Sequence, residues 1–137
     1  MRKIVFVVAA TALISCAGSS PEEKLVKALD PAISWSATLA MAGEKWISNS
    51  VPASFVDDTV AAGKKALTKS ETAVQQSDAD AQLTKRALTE IRREQDLATC
   101  ISSALQRPDG RRRLPETVAA LHRSHDVLLA IRDSLKK

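Results

Sequence analysis

Apolar and small residues recur at alternating intervals of four and three along one stretch of this chain: Val56, Val60, Gly63, Leu67, Ser70 and Val74. That spacing keeps them on one face of an α-helix, whereas in a strand it would scatter them over both faces. A helix with a single apolar stripe must bury it against another element. Three further stretches carry comparable stripes. One holds Trp35, Leu39, Ala42 and Trp46, with Ser36 and Gly43 beside them; another holds Ala87, Ile91, Ala98, Ile101 and Leu105. The last holds Val118, Leu121, Leu128 and Leu135, widened by Leu129 and Ile131. No run alternates apolar and polar residues between turn signals, so strands are not expected. Four such stripes are best buried against one another. The expected fold class is therefore all-α: an up-down four-helix bundle.

The helix breakers divide the chain accordingly. Pro21, Pro31, Pro52, Pro108 and Pro115 fall at positions suited to helix starts or loops. Asp30-Pro31 reads as an N-cap followed by a first-turn proline. Ser54 with Asp57, and Ser77 with Asp80, resemble capping boxes with aspartate in place of glutamate or glutamine. Pro108-Asp109-Gly110 reads as a turn, in which Asp and Gly tolerate reversed dihedrals. These signals predict a short helical piece at 21–29 and four longer helices at 31–49, 53–75, 79–106 and 115–135. No Gly or Pro separates Gly63 from Pro108, so a single rod of roughly 80 Å would be possible on helix geometry alone. The segment from Lys69 to Asp80 has few large apolar side chains, and a rod would leave the other stripes unpaired. A break near Ser77 is expected instead. Gly43 and Gly63 lie on the apolar seams, where they would let backbones approach closely.

The N-terminus points to a destination. Arg2 and Lys3 form a basic head, and Ile4 to Ile14 is an apolar run interrupted only by Thr11. Such a run gives roughly 16 Å of helix, too short for a bilayer core that needs about 20 residues. It reads as the hydrophobic region of an export signal. Leu13-Ile14-Ser15-Cys16 then closely resembles the lipobox of bacterial lipoproteins. The resemblance implies cleavage before Cys16 and a diacylglycerol on its thiol, so residues 1–15 would be signal peptide, 16–20 a lipidated tether and 21–137 the helical bundle domain. Two or more acyl chains hold a protein firmly at a membrane. Ala17, rather than aspartate, follows the cysteine. By the rule for Gram-negative lipoproteins, this implies an outer-membrane protein facing the periplasm. The segment from Trp35 to Pro52 is faintly similar to small uncharacterised helical lipoproteins of bacteria, and no activity follows from that.

Charge argues against a nucleic-acid binder. The chain has 20 basic and 16 acidic residues, but setting aside Arg2 and Lys3 leaves a domain nearly balanced in charge. Only two Trp and two Phe are present and Tyr is absent, which leaves little for base stacking.

Few residues offer chemistry. His122 and His125 are the only histidines. His125 and Glu94 both stand where their stripes expect a hydrophobe, so a Glu–His metal site in the core is one reading. The favoured reading has no metal: a boundary histidine bonded to a neighbour, and a partly solvated Glu94. Cys100 is the only thiol besides Cys16 and is expected to be a buried structural residue. Trp35 and Trp46 share a face and are expected mainly in the core, with a ligand pocket or partner anchor as the alternative. Arg107, Arg111, Arg112 and Arg113 crowd one loop, where guanidinium groups suit the phosphates or carboxylates of a partner. In an up-down bundle that loop lies at the opposite pole from the N-terminus. Ser124-His125-Asp126 is not a triad, since adjacent helical residues point apart. No glycine-rich phosphate loop or hydrolase elbow is present.

The expected function is thus a non-enzymatic, membrane-anchored envelope lipoprotein. Its bundle would bind a protein or cell-wall partner and carry no cofactor beyond the lipid on Cys16. A periplasmic bundle that binds a small ligand or metal is the alternative.

Overall fold

Ser20 begins the first helix. Its backbone is extended, and its hydroxyl accepts a hydrogen bond from the Glu23 N–H at 3.2 Å. Pro21 occupies the first helical turn, where a missing N–H costs nothing. Glu22 and Glu23 complement the positive end of the helix dipole. From there the computed structural model, which describes residues 18–137, contains α1 (Pro21–Ile47), α2 (Ala53–Gln75), α3 (Ala81–Leu105) and α4 (Gly110–Ser134). The export signal, the lipobox and Cys16 lie outside the described residues.

The four helices form an up-down bundle in which each packs on its two neighbours in ring order. Cross-helix pairs fix the antiparallel register. Arg132 near the end of α4 meets Asp30 near the start of α1 at 3.3 Å, while Arg111 at the start of α4 bonds the Trp46 carbonyl near the end of α1 at 3.0 Å. Glu71 takes Arg92 at 2.8 Å and Gln95 at 3.1 Å across α2 and α3. The loop between α3 and α4 therefore lies at the pole opposite residue 18, and Lys136 and Lys137 share the pole of residue 18.

The apolar stripes form the core. All six residues of the α2 stripe are buried. Leu39, Ala42, Trp46, Ala87, Ile91, Ala98, Ile101, Val118, Leu121 and Leu128 join them, with Leu25, Leu29, Leu67, Leu114 and Ile131 among the largest buried side chains. Trp35, Leu105, Leu129 and Leu135 pack at the edge of this core. The glycines on the seams do bring elements close. A Cβ on Gly63 would stand 3.1 Å from Trp35 and Leu39, and one on Gly43 2.9 Å from Val118.

The helix limits depart from the local signals at two prolines, Pro31 and Pro115, each time because tertiary packing outweighs a breaker. The pieces expected at 21–29 and 31–49 are one helix with Pro31 inside it. Leu25, Ala28, Ala32, Ser36, Leu39, Gly43 and Trp46 form one stripe that runs past Pro31 without a phase change. Burying it outweighs the roughly 3 kcal/mol cost of an internal proline. Asp30 does not cap; it pairs with Arg132. α4 starts at Gly110, not at Pro115, for the same reason: Leu114 is already core. Pro52 precedes α2 with no side-chain cap, so Ser54 and Asp57 form no capping box.

The break near Ser77 is present, but Asp80 is the N-cap of α3. Its carboxylate accepts from the Gln82 and Leu83 N–H groups at 3.0 Å. Ser77 is buried and donates back to the Val74 carbonyl.

Turns use polar residues instead of glycine. Asn49 has φ 58° and Asp78 φ 56°, while no described glycine has positive φ. At Asn49 the Ser50 N–H donates to Lys45 O at 2.8 Å and the Asn49 N–H to Trp46 O at 3.1 Å, closing α1 with a Schellman motif.

Pro31 is exposed, so replacing it removes no core contact. Pro31→Ala is expected to raise stability by about 2 kcal/mol by restoring an N–H for the Lys27 carbonyl. Urea denaturation would measure the gain.

Candidate functional site

Each helix carries one buried polar side chain: Ser36 on α1, Ser70 on α2, Glu94 on α3 and Ser124 on α4. The register of Glu71 against Arg92 and Gln95 places Ser70 level with Glu94. Ser124 bonds Glu94, and Ser36 bonds the neighbouring His125. A polar layer thus crosses the apolar core at mid-height.

Glu94 is the centre of this layer. It is 0% exposed, so it is fully buried and not partly solvated as its charge suggested. Its position, three after Ile91 and four before Ala98, belongs to the α3 stripe, and the fold honours the spacing over the charge. Burial pushes its carboxyl up to about 8, and the negative charge of Glu90 adds to the rise. The nearby hydroxyls of Ser124 and Ser36 act in the opposite direction, since they could donate to an ionised carboxylate. Ser124 Oγ lies 3.2 Å from Glu94 Oε1 and 3.0 Å from Glu90 Oε2. Glu94 Oε2 and Ser70 Oγ have no hydrogen-bond partner among the described residues.

His125 is half-buried at the edge of the layer. Its Nδ1 stands 3.0 Å from both the Ile33 carbonyl and Ser36 Oγ. A carbonyl oxygen only accepts, so Nδ1 carries the proton and donates. Ser36 also donates to the Ile33 carbonyl, at 2.8 Å. His125 thereby ties α4 to α1. His122 points elsewhere: its Nε2 is 2.8 Å from Glu44 on the exposed rim of a groove of about 340 Å³. Ile47, Pro115, Val118 and Ala119 line that groove between α1 and α4. The structure does not bring His122, His125 and Glu94 together. Among the described residues, no group of three His, Cys, Asp or Glu side chains is placed to hold a metal ion.

The four arginines do not share a loop. Arg107 lies in the turn after α3, while Arg111, Arg112 and Arg113 form the first turn of α4, because the helix begins at Gly110. Most of them are engaged by their own neighbours. Asp109 takes Arg113 at 2.8 Å and Arg107 at 3.5 Å. The Arg113 hydrogen bond is the main reason its carboxyl stays below the usual value. Arg111 lies over Trp46, 4.6 Å from the ring centroid, while its Nε donates to the Trp46 carbonyl. This pair joins a cation–π contact to a helix C-terminal cap. Arg112 is exposed and makes no ion pair among the described residues. Trp46 is 5% exposed, and Trp35 packs against Gly63, so both tryptophans serve the core.

Cys100 is exposed, not buried. It lies two residues past Ala98, about 200° around the helix, so it turns away from the seam. With Thr99, Ser103, Arg107, Arg113 and Leu114 it lines a groove of about 250 Å³.

Sequence reasoning passed over two members of the polar layer. Ser124 was set aside with its neighbours, and Glu90 carried no signal at all. The detectable sign for Ser124 was its distance of three from Leu121 and four from Leu128, a seam position. No known protein family, curated protein or solved structure matches this chain.

Proposed function

We propose that this protein is a non-enzymatic lipoprotein of the bacterial envelope, a helical bundle held at a membrane by lipid on Cys16 and engaging a protein or cell-wall partner. The observation that carries the proposal is Leu13-Ile14-Ser15-Cys16, placed four residues before the N-cap Ser20. With so short a tether, at ~3.5 Å per residue, the bundle would ride close to the headgroups. No helix among the described residues is long and apolar enough to cross a membrane, so attachment in this proposal rests on the acyl chains.

The non-catalytic part of the proposal draws on how the reactive side chains are spent. His125 and Arg111 tie α4 to α1, and Arg107 and Arg113 are paired with the adjacent Asp109. Arg112 is the guanidinium best placed for a partner, on the pole away from residue 18.

Mass spectrometry of the protein purified from membranes tests the anchor. The expected result is an N-terminus beginning at Cys16 with added diacylglycerol mass, and Cys16→Ser is expected to leave the membrane fraction. An unmodified Cys16 in membrane-bound protein would sink the proposal. A photocrosslinker at position 112 is then expected to capture one defined partner rather than lipid alone.

A further inference from the structure

Ser124 has one hydroxyl proton and two carboxylates to serve. Its Oγ stands 3.0 Å from Glu90 Oε2 and 3.2 Å from Glu94 Oε1. A hydroxyl donates once and accepts twice. If Ser124 donates to Glu90, its contact with Glu94 is a hydrogen bond only when Glu94 is itself the donor. A directed chain with one protonated carboxyl at its head satisfies both contacts. Run from Glu90, it would leave the charge on the fully buried Glu94. Run the other way, Glu94 O–H to Ser124 Oγ and Ser124 O–H to Glu90 Oε2, it leaves the charge on the less buried Glu90.

The surroundings favour the same proton. On α3, Glu90 meets Arg93 at 3.8 Å and keeps its side chain 13% exposed, so its charge is balanced at the surface. On α4, His125 directs its Nδ1 proton at Ile33 and Ser36 of α1. The Ser36 hydroxyl also faces Glu94 and would favour its ionised form, but its proton is directed at Ile33 at 2.8 Å. On α2, Ser70 is uncharged, Lys64 bonds Thr99, and Glu71 is engaged by Arg92 and Gln95. No basic side chain bonds Glu94 among the described residues. An ionised Glu94 would be a buried, unpaired charge with Oε2 lacking any donor.

We propose that Glu94, Ser124 and Glu90 form a proton latch on the α3–α4 seam, closed while Glu94 holds its proton and loosened when that proton is lost. On release, Glu94 gives its proton to Ser124, Ser124 gives its own to Glu90, and Glu90 passes one proton to water. One proton leaves in all, and a second negative charge stays beside Ser124. The seam between α3 and α4 then opens to hydrate it, while the His125 bond to Ile33 keeps α4 on α1. This inference does not depend on the lipid anchor.

Carbon-13 NMR of the side-chain carboxyls, with amide hydrogen exchange, tests it on the full chain. One glutamate is expected to titrate near pH 8, well apart from the others, and to vanish in Glu94→Gln. Amides of α3 and α4 along the seam are expected to exchange about tenfold faster above that midpoint, after correction for base catalysis. Glu94→Gln removes this step. Ser124→Ala is the decisive variant. If Glu94 is the donor, losing its acceptor lowers the midpoint; if Ser124 merely donates to an ionised Glu94, the midpoint rises. Glu90→Gln also lowers it. A Glu94 that titrates in the ordinary carboxylate range, a midpoint that rises in Ser124→Ala, or exchange that is unchanged across the transition overturns the latch. Should Glu94→Gln fail to fold, the wild-type titration and the two other variants still decide.

Discussion

Folding stability is expected to fall by on the order of 4 kcal/mol as pH rises from about 4.5 to about 8, and Glu94→Gln is expected to abolish the fall. The sign follows from proton counting. Glu94 has its carboxyl at about 8 in the folded chain against an ordinary 4.5. Between those values the folded state holds a proton that the unfolded state has released. Stability therefore decreases with rising pH, at about 1.4 kcal/mol per unit for one group. The contribution is complete below the unfolded value and is lost as pH rises through the folded one. The acid side works in the opposite sense. Arg92, with help from Gln95, lowers the Glu71 carboxyl, and Arg113 lowers that of Asp109. Their contributions are present at neutral pH and are lost as pH falls through the folded values. Both groups are solvated, so the effect is small. The stability maximum is thus expected near pH 5, at the acid end of the usual range. Urea denaturation at half-unit steps from pH 4 to 9 measures it. A flat wild-type profile across this range would contradict a buried, protonated Glu94.

Gly110→Ala is expected to destabilise the bundle by about 3 kcal/mol, at the upper end of what overpacking costs. A Cβ at this position would lie 1.8 Å from the Ala104 carbonyl oxygen and 2.6 Å from its carbon. Those are backbone atoms at the end of α3, and they cannot rotate aside as a side-chain tip can. The chain leaves α3 at Leu105 and enters α4 at Gly110, so the two helix ends nearly touch. Gly43→Ala serves as the comparison. There the nearest atoms are side-chain methyls, Val118 Cγ2 at 2.9 Å and Leu114 Cδ2 at 3.4 Å. Val118 has one favoured rotamer in a helix, so α1 and α4 must part by a few tenths of an ångström. Offset against the gain in helix propensity, this should leave Gly43→Ala costing about 1 kcal/mol, well below Gly110→Ala. Equal costs at the two positions would refute the argument from backbone proximity.

Gly110 also illustrates how a correct signal can carry a wrong reason. Pro108-Asp109-Gly110 was readable as a turn, and the chain does turn there. The expected cause was a reversed backbone dihedral at Asp or Gly. Neither adopts one: the left-handed positions are Asn49 and Asp78. What Gly110 supplies is the absence of a side chain between two helix ends, a property of two segments and not of one.

The candidate site divides in the same way. Glu94 stood out because a charge occupied a hydrophobic phase of its helix, and it is indeed the buried centre of a polar layer. The histidines stood out as a pair, yet they diverge: His122 to Glu44 on the rim, and His125 to Ile33 and Ser36 at the α1 seam. Three positions apart on a helix fixes angular separation but not which neighbour each ring meets. The arginines stood out as a cluster, and only Arg112 is left without a partner among the described residues. Asp109 and Trp46 absorb the others.

Hydrophobic phase was therefore readable from residue order alone: four helices, the α2 stripe residue by residue, and the break after Gln75. It is readable because burial is worth a few kcal/mol for each large apolar side chain and repeats along the helix. Caps and single breakers weigh about one to three kcal/mol each and act once. Where they disagreed with the stripe, at Pro31 and Pro115, the stripe prevailed. The meeting of Glu94 with Ser124 and Glu90, the cover over Trp46 and the abutment at Gly110 arose only when the helices packed. Each depends on the relative rotation and height of two helices, and those are settled by the whole core at once.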